Sequence, residues 1–379
     1  MLNSRYKCKR MAGTKIMRFA YKKIVKPLLF KFDPENVHDA MTFAGALLGK
    51  TIIWRFAISA LLKYKNNALE QHILGIRFTN PIGLSAGFDK NAKLLKILPC
   101  VGFGFAEIGS ITARECEGNP RPRLMRMPNS KAILVNYGLR NEGCDKIIKR
   151  ISKTKNFNIG ISIARTNCKE ASDLNNAIED YASTLERFSN NASVSYFTIN
   201  ISCPNAFTGE MFMDTKNLDL LLTRIDKIPA EKPIFIKTAS EISTDELDEI
   251  VNVAQKHRVH GFVLSNLVKN RQNPCVDKNE AACAQTGGIS GAPTAELSLA
   301  LISHMRKKYG NMFVVIASGG VFSAKDAYTR ILAGASLVEL ITGMIYEGPQ
   351  LIGEINRGLA KLLKRDGFAN ISEAVGKMH

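Results

Sequence analysis

One stretch of the chain, residues 198–205 (TINISCPN), places a thiol between two asparagines. The apolar run before it is typical of a β-strand, and Pro204 must end that strand because proline lacks a backbone N–H and has a fixed φ. Asn200 and Asn205 each offer two N–H donors and one acceptor, which suits a planar ligand with amide and carboxylate edges. Cys203 lies between them as a candidate proton acceptor. The same pattern also fits a strand end with turn-forming residues and an inert cysteine.

From Leu74 onward, short apolar strands alternate with helical patterns, which places residues 198–205 at the end of one strand among several. The strand candidates are Gly83–Ser85, Phe105–Ile108, Gly160–Ile163, Phe197–Ile201, Ile234–Lys237, Gly261–Leu264, Val314–Ala317 and Leu337–Leu340. Helical patterns fit over residues 90–100, 174–189, 216–227, 244–257, 293–309 and 323–333. Eight strands alternating with helices predict an α/β fold, a parallel (β/α)8 or TIM barrel.

In such a barrel, chemistry takes place on the loops at the C-terminal ends of the strands. Polar residues follow the predicted strands at those ends, among them Lys90, Ser110, Asn200, Lys237 and Asn266. Two late turns contain Gly319-Gly320 and Thr342-Gly343, where backbone N–H groups can approach an anion closely because glycine has no side chain. The two turns predict a phosphorylated cofactor, and the arrangement as a whole predicts an enzyme.

The barrel is assigned to residues 66–379. Ahead of it, the sequence predicts a helical extension over residues 1–65. Asp33-Pro34-Glu35 is a helix start, with an N-cap, a proline at the first helical position and an acid in the first turn. A helix is expected to about Leu48, followed by a second apolar segment, Ile52–Leu62, with the only tryptophan. These helices either pack on the barrel or form a membrane-facing cap that admits an apolar ligand.

The net charge of +18 is concentrated at the start, since residues 1–32 carry ten Lys or Arg and no acid. An anionic membrane surface suits such a segment, at roughly 1 kcal/mol per basic residue near the lipid, and an organelle transit peptide is the alternative. Nucleic acid is not expected, because the segment lacks interleaved aromatics and a recognised reader motif. The sequence contains no run of 18 apolar residues, so no membrane-spanning helix is predicted.

Cysteine and histidine spacing predicts no metal site. The eight cysteines contain no CxxC pair and no histidine at zinc spacing, and the six histidines fall in no shared motif. Reduced thiols in a reducing compartment are the expected state. Only Cys203 lies in a polar loop context that suits chemistry.

From about Lys22 to the C-terminus the chain resembles the dihydroorotate dehydrogenases, FMN-dependent barrels of pyrimidine synthesis. The similarity is greatest to the membrane-associated, quinone-using class. It rests on residues 32–35 (FDPE), 80–90 (NPIGLSAGFDK), 118–123 (GNPRPR), 200–205 (NISCPN), 285–291 (QTGGISG) and 333–338 (AGASLV).

The resemblance implies oxidation of dihydroorotate to orotate with quinone as electron acceptor. Cys203 would remove the C5 proton while a hydride leaves C6 for the flavin. The implied substrate-binding residues are Lys90, Asn200, Asn205 and Asn266. Asn136 is added because it is next to Val135, where the family has a substrate-binding asparagine. The implied FMN-binding residues are Ala86, Gly87, Ser110, Ser162, Asn200, Lys237, Ser265, Gly291, Gly320, Thr342 and Gly343. Arg126 would lie on the quinone side. A peripheral position on the cytoplasmic face of a bacterial inner membrane is expected, with the mitochondrial inner membrane as the alternative.

Five positions depart from the family pattern. Cys203 replaces the serine usual in the quinone-using class, although a thiol with a pKa near ~8.5 ionises more readily than a hydroxyl. Val135 and Leu267 replace a substrate-binding Asn and a Thr, Ser162 replaces an Asn near the flavin, and Ile341 replaces a quinone-site Tyr. Each lost buried hydrogen bond costs about 1–3 kcal/mol. The alternatives are therefore an FMN-dependent oxidoreductase of another cyclic amide or enone, and a catalytically silent barrel.

Overall fold

The computed structural model describes residues 13–14, 16–152, 154, 156–203, 209–284 and 286–378. Its strands are β1 (Gln71–Ile73), β2 (Ile76–Phe78), β3 (Ile82–Leu84), β4 (Phe105–Ile111), β5 (Leu124–Met127), β6 (Ala132–Val135), β7 (Asn158–Ile163), β8 (Tyr196–Asn200), β9 (Ile234–Lys237), β10 (Gly261–Leu264), β11 (Gly288–Gly291), β12 (Val314–Ser318) and β13 (Leu337–Leu340). Eight of them, β3, β4, β7, β8, β9, β10, β12 and β13, close into a parallel barrel in chain order. The predicted (β/α)8 barrel is confirmed, and every predicted strand is a barrel strand.

A short helical stretch at residues 16–20 and a π-helical turn at Tyr21–Val25 come first. The α-helices of four or more described residues come after them. They are Lys26–Leu29, Pro34–Lys50, Ile52–Leu62, Leu98–Val101, Cys144–Ile151, Leu174–Ser189, Thr215–Asp226, Thr244–Ala254, Lys278–Cys283, Ala295–Tyr309, Ala324–Ala333, Thr342–Glu347, Leu351–Arg365 and Ile371–Ala374. Five of the six predicted inter-strand helices are present with ends shifted by at most three residues. Aspartate or serine N-caps begin several of them, and Ser243 with Glu246 forms a complete capping box.

The helix predicted over residues 90–100 is wrong in its first two turns. The Asp89 carboxylate accepts hydrogen bonds from the backbone N–H groups of Lys93 (2.8 Å) and Leu94 (2.7 Å). Ala92 has a φ of 56°, in the left-handed region that interrupts a helix. Only Leu98–Val101 is helical. A side chain that satisfies backbone donors locally has therefore replaced helical hydrogen bonds.

The N-terminal end of the barrel is closed by aromatic rings that lie over glycines of neighbouring strands. A Cβ on Gly83 would lie 2.2 Å from the Phe105 ring, and one on Gly160 would lie 2.1 Å from the Tyr196 ring. The Tyr196 ring in turn packs 5.3 Å from that of Phe235. Because side chains alternate along a strand, the next inward residues lie one layer higher, and these are polar. They include Glu107, Thr198, Lys237 and Glu339, all buried.

A three-stranded antiparallel sheet, β5–β6–β11, lies outside the barrel. Val135 pairs with Leu124 on one side and with Gly288 on the other. The sequence analysis did not predict this sheet, because its strands are four residues long and interrupt the β/α alternation. It is defined here as the roof sheet.

Two helices that precede the barrel form the cap, defined here as α1 (Pro34–Lys50) and α2 (Ile52–Leu62). They bend by 109° at Thr51. Large apolar side chains of both helices are exposed, including Phe43, Ile52, Ile53, Trp54 and Phe56. The barrel therefore covers only part of the apolar surface of the cap, including Leu48, Ile58 and Leu62. No single helix among the described residues has the length and composition to cross a membrane, and the bent α1–α2 pair meets that test only when taken together.

A buried carboxylate joins the cap to the barrel. Glu35, in the first turn of α1, is 2% exposed and makes two hydrogen bonds with Arg123, at 2.6 and 3.1 Å. Arg140 donates a third at 3.2 Å, and Arg121 lies 3.4 Å away. Because Arg123 and Arg140 flank the roof strands, this cluster fixes α1 against the roof sheet.

We expect Glu35→Gln to lower the free energy of unfolding by about 3–5 kcal/mol, the range for removing one partner of a buried ion pair. The neutral amide leaves the buried Arg123 guanidinium without its counter-charge. Chemical denaturation monitored by circular dichroism measures the change. Asp39→Asn is the matched control, since Asp39 is half exposed and lies 3.9–4.0 Å from Arg121 and Arg140. An equal loss in both variants would contradict the role of burial.

Candidate active site

Two adjoining cavities open at the C-terminal ends of the barrel strands. The catalytic cavity, of about 180 Å³, lies under the roof sheet, and the glycine-side cavity, of about 80 Å³, lies beside β12 and β13. Both are lined by Ala86, Lys237, Asn266, Leu267, Ser290, Ile341 and Thr342. Because they share these walls, they form one continuous groove.

The groove collects most of the predicted site residues. The catalytic cavity is lined by Ala86, Gly87, Lys90, Ser110, Asn200, Cys203, Lys237, Asn266 and Thr342. The glycine-side cavity adds Ser265, Gly291, Gly320 and Gly343. Asn136, Ser162 and Arg126 line neither cavity. Asn205 lies outside the described residues.

The glycine-side cavity is a cradle that side chains would fill. Gly319 and Gly320 have φ angles of 96° and 65°, which favour glycine. A Cβ on Gly343 would lie 1.9 Å from the Val321 carbonyl oxygen. The Ser290 and Thr342 hydroxyls are 2.8 Å apart at its edge. Hydroxyls and bare backbone at the end of parallel strands suit a phosphate group.

An amide network fixes the floor of the catalytic cavity. The side-chain amide of Asn200 donates to the Ser110 hydroxyl at 2.9 Å, and the Tyr181 hydroxyl donates to the backbone carbonyl of Asn200 at 2.7 Å. Asn266 donates to the carbonyl oxygen and the hydroxyl of Ser202, at 2.9 and 3.0 Å. Both amide planes are therefore held in one orientation beside Cys203, the candidate proton acceptor.

Ser162 and Asn136 are placed differently from the predicted contacts. The Ser162 hydroxyl lies 2.8 Å from that of Ser110, so Ser162 supports the wall rather than forming it. The Asn136 amide accepts from Asn119 at 2.8 Å and reaches Thr286 at 3.5 Å. Its side chain does not replace the polar group absent at Val135.

Arg126 connects the roof sheet to the segment before the cap. Its guanidinium donates to the Phe32 carbonyl at 2.7 Å and lies 4.7 Å from the centre of the Phe30 ring. The structure brings it to the junction of roof and cap and not to the groove. Its predicted place on the quinone side remains a prediction.

Lys90 is one of three basic residues that line the catalytic cavity, together with Arg140 and Lys237. Its ammonium lies 3.5 Å from the centre of the Tyr137 ring. Burial, and next the nearby Arg140 charge, lower the pKa of Lys90 to about 7, while Asp39 and Glu35 oppose the shift. Within the described part of the chain, no carboxylate is bonded directly to this ammonium, and a partly desolvated ammonium of this kind is suited to hold an anionic ligand.

The sequence analysis missed His38 and Tyr137, which also line the catalytic cavity. The His38 ring packs edge-on against Phe88 at 4.9 Å, and burial with the Lys90 and Arg140 charges lowers its pKa to about 3. His38 is therefore neutral near pH 7. Nothing in its local sequence distinguishes it from a surface histidine, since only the docking of α1 brings it to the cavity.

One wall of the catalytic cavity is apolar. Val135, Leu139, Leu267 and Ile341 lie on it, with Ile345 beyond. The position of Leu267 is fixed by the roof sheet, since a Cβ on Gly288 would lie 2.5 Å from the Leu267 Cβ. The departures at Val135 and Leu267 thus lie together on one surface, facing the polar floor of Asn200 and Asn266.

A closed (β/α)8 barrel with a thiol, fixed amides and an anion cradle at the C-terminal ends of its strands defines an enzyme of the TIM-barrel class. The family model for dihydroorotate dehydrogenase matches residues 68–363. The chain belongs to the dihydroorotate dehydrogenase family.

Similar proteins extend over nearly the whole chain. The dihydroorotate dehydrogenase (quinone) of Brucella ovis is 36% identical over 355 residues, covering 91% of this chain and 92% of the relative. That of Gloeobacter violaceus is 34% identical over 356 residues, covering 93% and 98%. The crystal structure of the Eimeria tenella enzyme in complex with ferulenol has a TM-score of 0.79 and 28% identity, covering 92% of this chain and 96% of that one.

We expect binding of a planar carboxylate such as orotate to weaken by up to about tenfold per pH unit above pH 7, because Lys90 loses its charge there. Below pH 7 the ammonium is protonated and affinity should be constant. Titration calorimetry between pH 6 and 9 measures this dependence. Lys90→Met should weaken binding and flatten the profile. Lys93→Met, on the same loop and paired with Glu142 at 2.8 Å, is the control and should keep it.

Proposed function

We propose that this chain is an FMN-dependent enzyme that oxidises dihydroorotate to orotate and passes the electrons to a quinone. The observation that carries the proposal is the convergence of Cys203, Lys90, Asn200 and Asn266 on one cavity that continues into the glycine cradle. The relatives named for this activity match the chain over more than nine-tenths of its length.

The groove residues fit FMN. Backbone at Gly320 and Gly343, with the Thr342 hydroxyl, suits the phosphate, while Ala86, Gly87 and Lys237 line the continuation toward the catalytic cavity. When bound, FMN supplies the acceptor for a hydride and the donor of two electrons. Lys237 contributes a fixed positive charge on this path. Ser265 and Gly291 complete the cradle, and Ser110, held by Ser162, forms the side of the cavity.

The other groove residues bind and deprotonate the substrate. Lys90 holds its carboxylate, and the amides of Asn200 and Asn266 hydrogen-bond to its ring. Cys203, as a thiolate, accepts the proton from C5 and returns it to solvent. Asn205, beyond the described residues, is proposed as a further ring contact.

A second candidate is an FMN-dependent oxidoreductase of another cyclic amide or enone. The observation that favours it is the apolar wall of Val135 and Leu267, which offers no hydrogen bond to a substrate edge. A polar substrate edge that loses its water against this wall gains no hydrogen bond in return, so the wall favours a less polar substrate.

We also propose that residues 1–65 act as a unit that lies on a membrane and admits the quinone, with residues 66–379 as the catalytic barrel. The exposed apolar side chains on α1 and α2 follow an acid-free basic start in the sequence. Part of that charge is already paired, since Arg18 forms an ion pair with Glu347 at 2.7 Å. The apolar cap surface is therefore proposed as the main lipid contact, at a bacterial inner membrane or a mitochondrial one.

Anaerobic addition of L-dihydroorotate to the purified yellow protein should bleach the flavin band, and Cys203→Ala should slow this by about 10²–10⁴-fold while FMN stays bound. Stopped-flow absorbance measures the rate. The bleaching rate of Cys203→Ser is expected to lie between those of the wild type and Cys203→Ala. Cys275→Ala, at an exposed cysteine, should bleach at the wild-type rate. Unchanged bleaching in Cys203→Ala would remove this thiol from the mechanism. A yellow wild-type protein that dihydroorotate never bleaches would favour the second candidate.

Trp54, the only tryptophan, reports on the cap directly because it is 54% exposed on α2. Vesicles containing phosphatidylglycerol should shift its emission to the blue and co-sediment with the protein. Phe56→Glu should reduce both effects, since Phe56 is 76% exposed. Met312→Glu, at an exposed apolar residue outside the cap, is the control. If both variants bound vesicles as the wild type does, the cap would not be the lipid contact.

A further inference from the structure

Two carboxyl groups inside the barrel have no role in the proposed chemistry. Glu107 on β4 and Glu339 on β13 are both fully buried. They lie in the polar layer directly above the aromatic rings, on strands that flank β3. Buried carboxyls of this kind require either a partner or a proton.

The two carboxyls have unequal surroundings. The Thr198 hydroxyl donates to Glu107 at 2.7 Å, and the Lys237 ammonium lies 4.0 Å from its other oxygen. Among the described residues, neither oxygen of Glu339 accepts a hydrogen bond of good geometry, and the Ser85 hydroxyl stabilises its charge only in part, whereas only one oxygen of Glu107 lacks such a bond. Burial raises the pKa of Glu107 too, but Lys237 and the Thr198 hydrogen bond oppose that shift. Of the two, Glu107 therefore has the environment of a carboxylate, and Glu339 that of a neutral acid.

The remaining groups around the pair do not compensate a second negative charge. The titratable side chains that face it are Lys237 from β9 and Tyr196 from β8. Next to β3, the Ser85 hydroxyl lies 3.2 Å from that of Ser318 and 3.4 Å from the Lys237 ammonium. Burial and the Glu107 carboxylate raise the pKa of Glu339 well above its usual range, and Lys237 and Ser85 oppose this only in part.

Lys237 connects this pair to the groove, because it lines both cavities while its ammonium lies beside Glu107. With Glu339 neutral, the three groups sum to zero charge. If Glu339 ionised, they would sum to one negative charge beneath the groove. A negative charge in the groove and an ionised Glu339 therefore disfavour each other.

We propose that Glu339 is a proton-holding residue that acts on the groove through Lys237. It keeps its proton while negative charge lies against Lys237, and it releases the proton to bulk water when that charge leaves. Glu107 remains the ionised partner of Lys237 throughout. This inference rests on the proposed binding of FMN at Lys237, and it does not depend on which substrate reduces it.

The first test is the pH dependence of unfolding of the full-length holoprotein. A carboxyl that is neutral when folded and ionised when unfolded stabilises the fold at acid pH, and this contribution is lost as pH rises. Relative to Glu339→Gln, the unfolding equilibrium constant of the wild type should rise about tenfold per pH unit above pH ~4.5, until Glu339 ionises in the folded protein. Glu339→Asp should restore the dependence.

The second test is the reduction potential of the bound flavin against pH, with dithionite as reductant. If Glu339 is coupled to the groove, the wild-type potential should fall more steeply with pH than that of Glu339→Gln, by up to one additional proton per two electrons. Tyr196→Phe is the matched control, since it removes from the same interior a hydroxyl that has no hydrogen-bond partner among the residues the structure describes, and it leaves both carboxyls. Because dithionite replaces the substrate, a protein that rejects dihydroorotate still gives the result.

Parallel pH profiles of wild type and Glu339→Gln in the unfolding test would show that Glu339 is ionised when folded and would overturn the proposal. Equal slopes of flavin reduction potential against pH in the wild type and Glu339→Gln would overturn the coupling to the groove. A change in Tyr196→Phe as large as in Glu339→Gln would assign the effect to packing and would also overturn it.

Discussion

The charge of Glu35 is the constraint on which the upper half of the molecule depends. Burial of a carboxylate requires nearby cations, and Arg123 and Arg140 supply them from either side of the roof sheet. One helix terminus, two loops and the roof are thereby fixed relative to one another. His38 lies one turn further along the same helix, so the ion cluster also determines which cap residue reaches the catalytic cavity.

The barrel and most of the groove could be predicted because their signals are local. Strand alternation, glycines at the late turns and the polar residues after each strand all follow from a few neighbouring residues. The turn at Asp89 was missed because a carboxylate that captures two backbone N–H groups has the same sequence signature as a helix cap. His38 and the pairing of β11 with β6 were missed because they depend on contacts between segments about 90 or more residues apart, such as Glu35 with Arg123 and Gly288 with Val135. The local β5–β6 hairpin was missed because its strands are short. Asn136 adjoins the position of the absent polar side chain, but its own side chain hydrogen-bonds to Asn119 and does not line the cavity.

The catalytic cavity combines two surfaces of opposite character. Its floor is a set of amides and hydroxyls whose orientations are fixed by hydrogen bonds to Ser110 and Ser202. Its opposite wall is aliphatic, and the roof strand that carries Val135 also holds Leu267 in place through Gly288. A ligand must therefore match a rigid polar face on one side and fill an apolar face on the other. Preorganisation of this kind lowers the entropic cost of binding, and it also limits how far the site can adapt to a different ring.

The first and last segments of the chain meet in space. Arg18 pairs with Glu347, Arg357 donates to Thr14, and β13 must pair with β3 before the barrel is closed. During synthesis, the basic start and the apolar cap therefore leave the ribosome long before the C-terminal segments that they contact have been translated. Domains generally fold as units as the chain is made, and surfaces exposed in the meantime are prone to wrong association. A lipid surface that receives the cap at this stage would shield its apolar side chains while the rest of the barrel is still being translated.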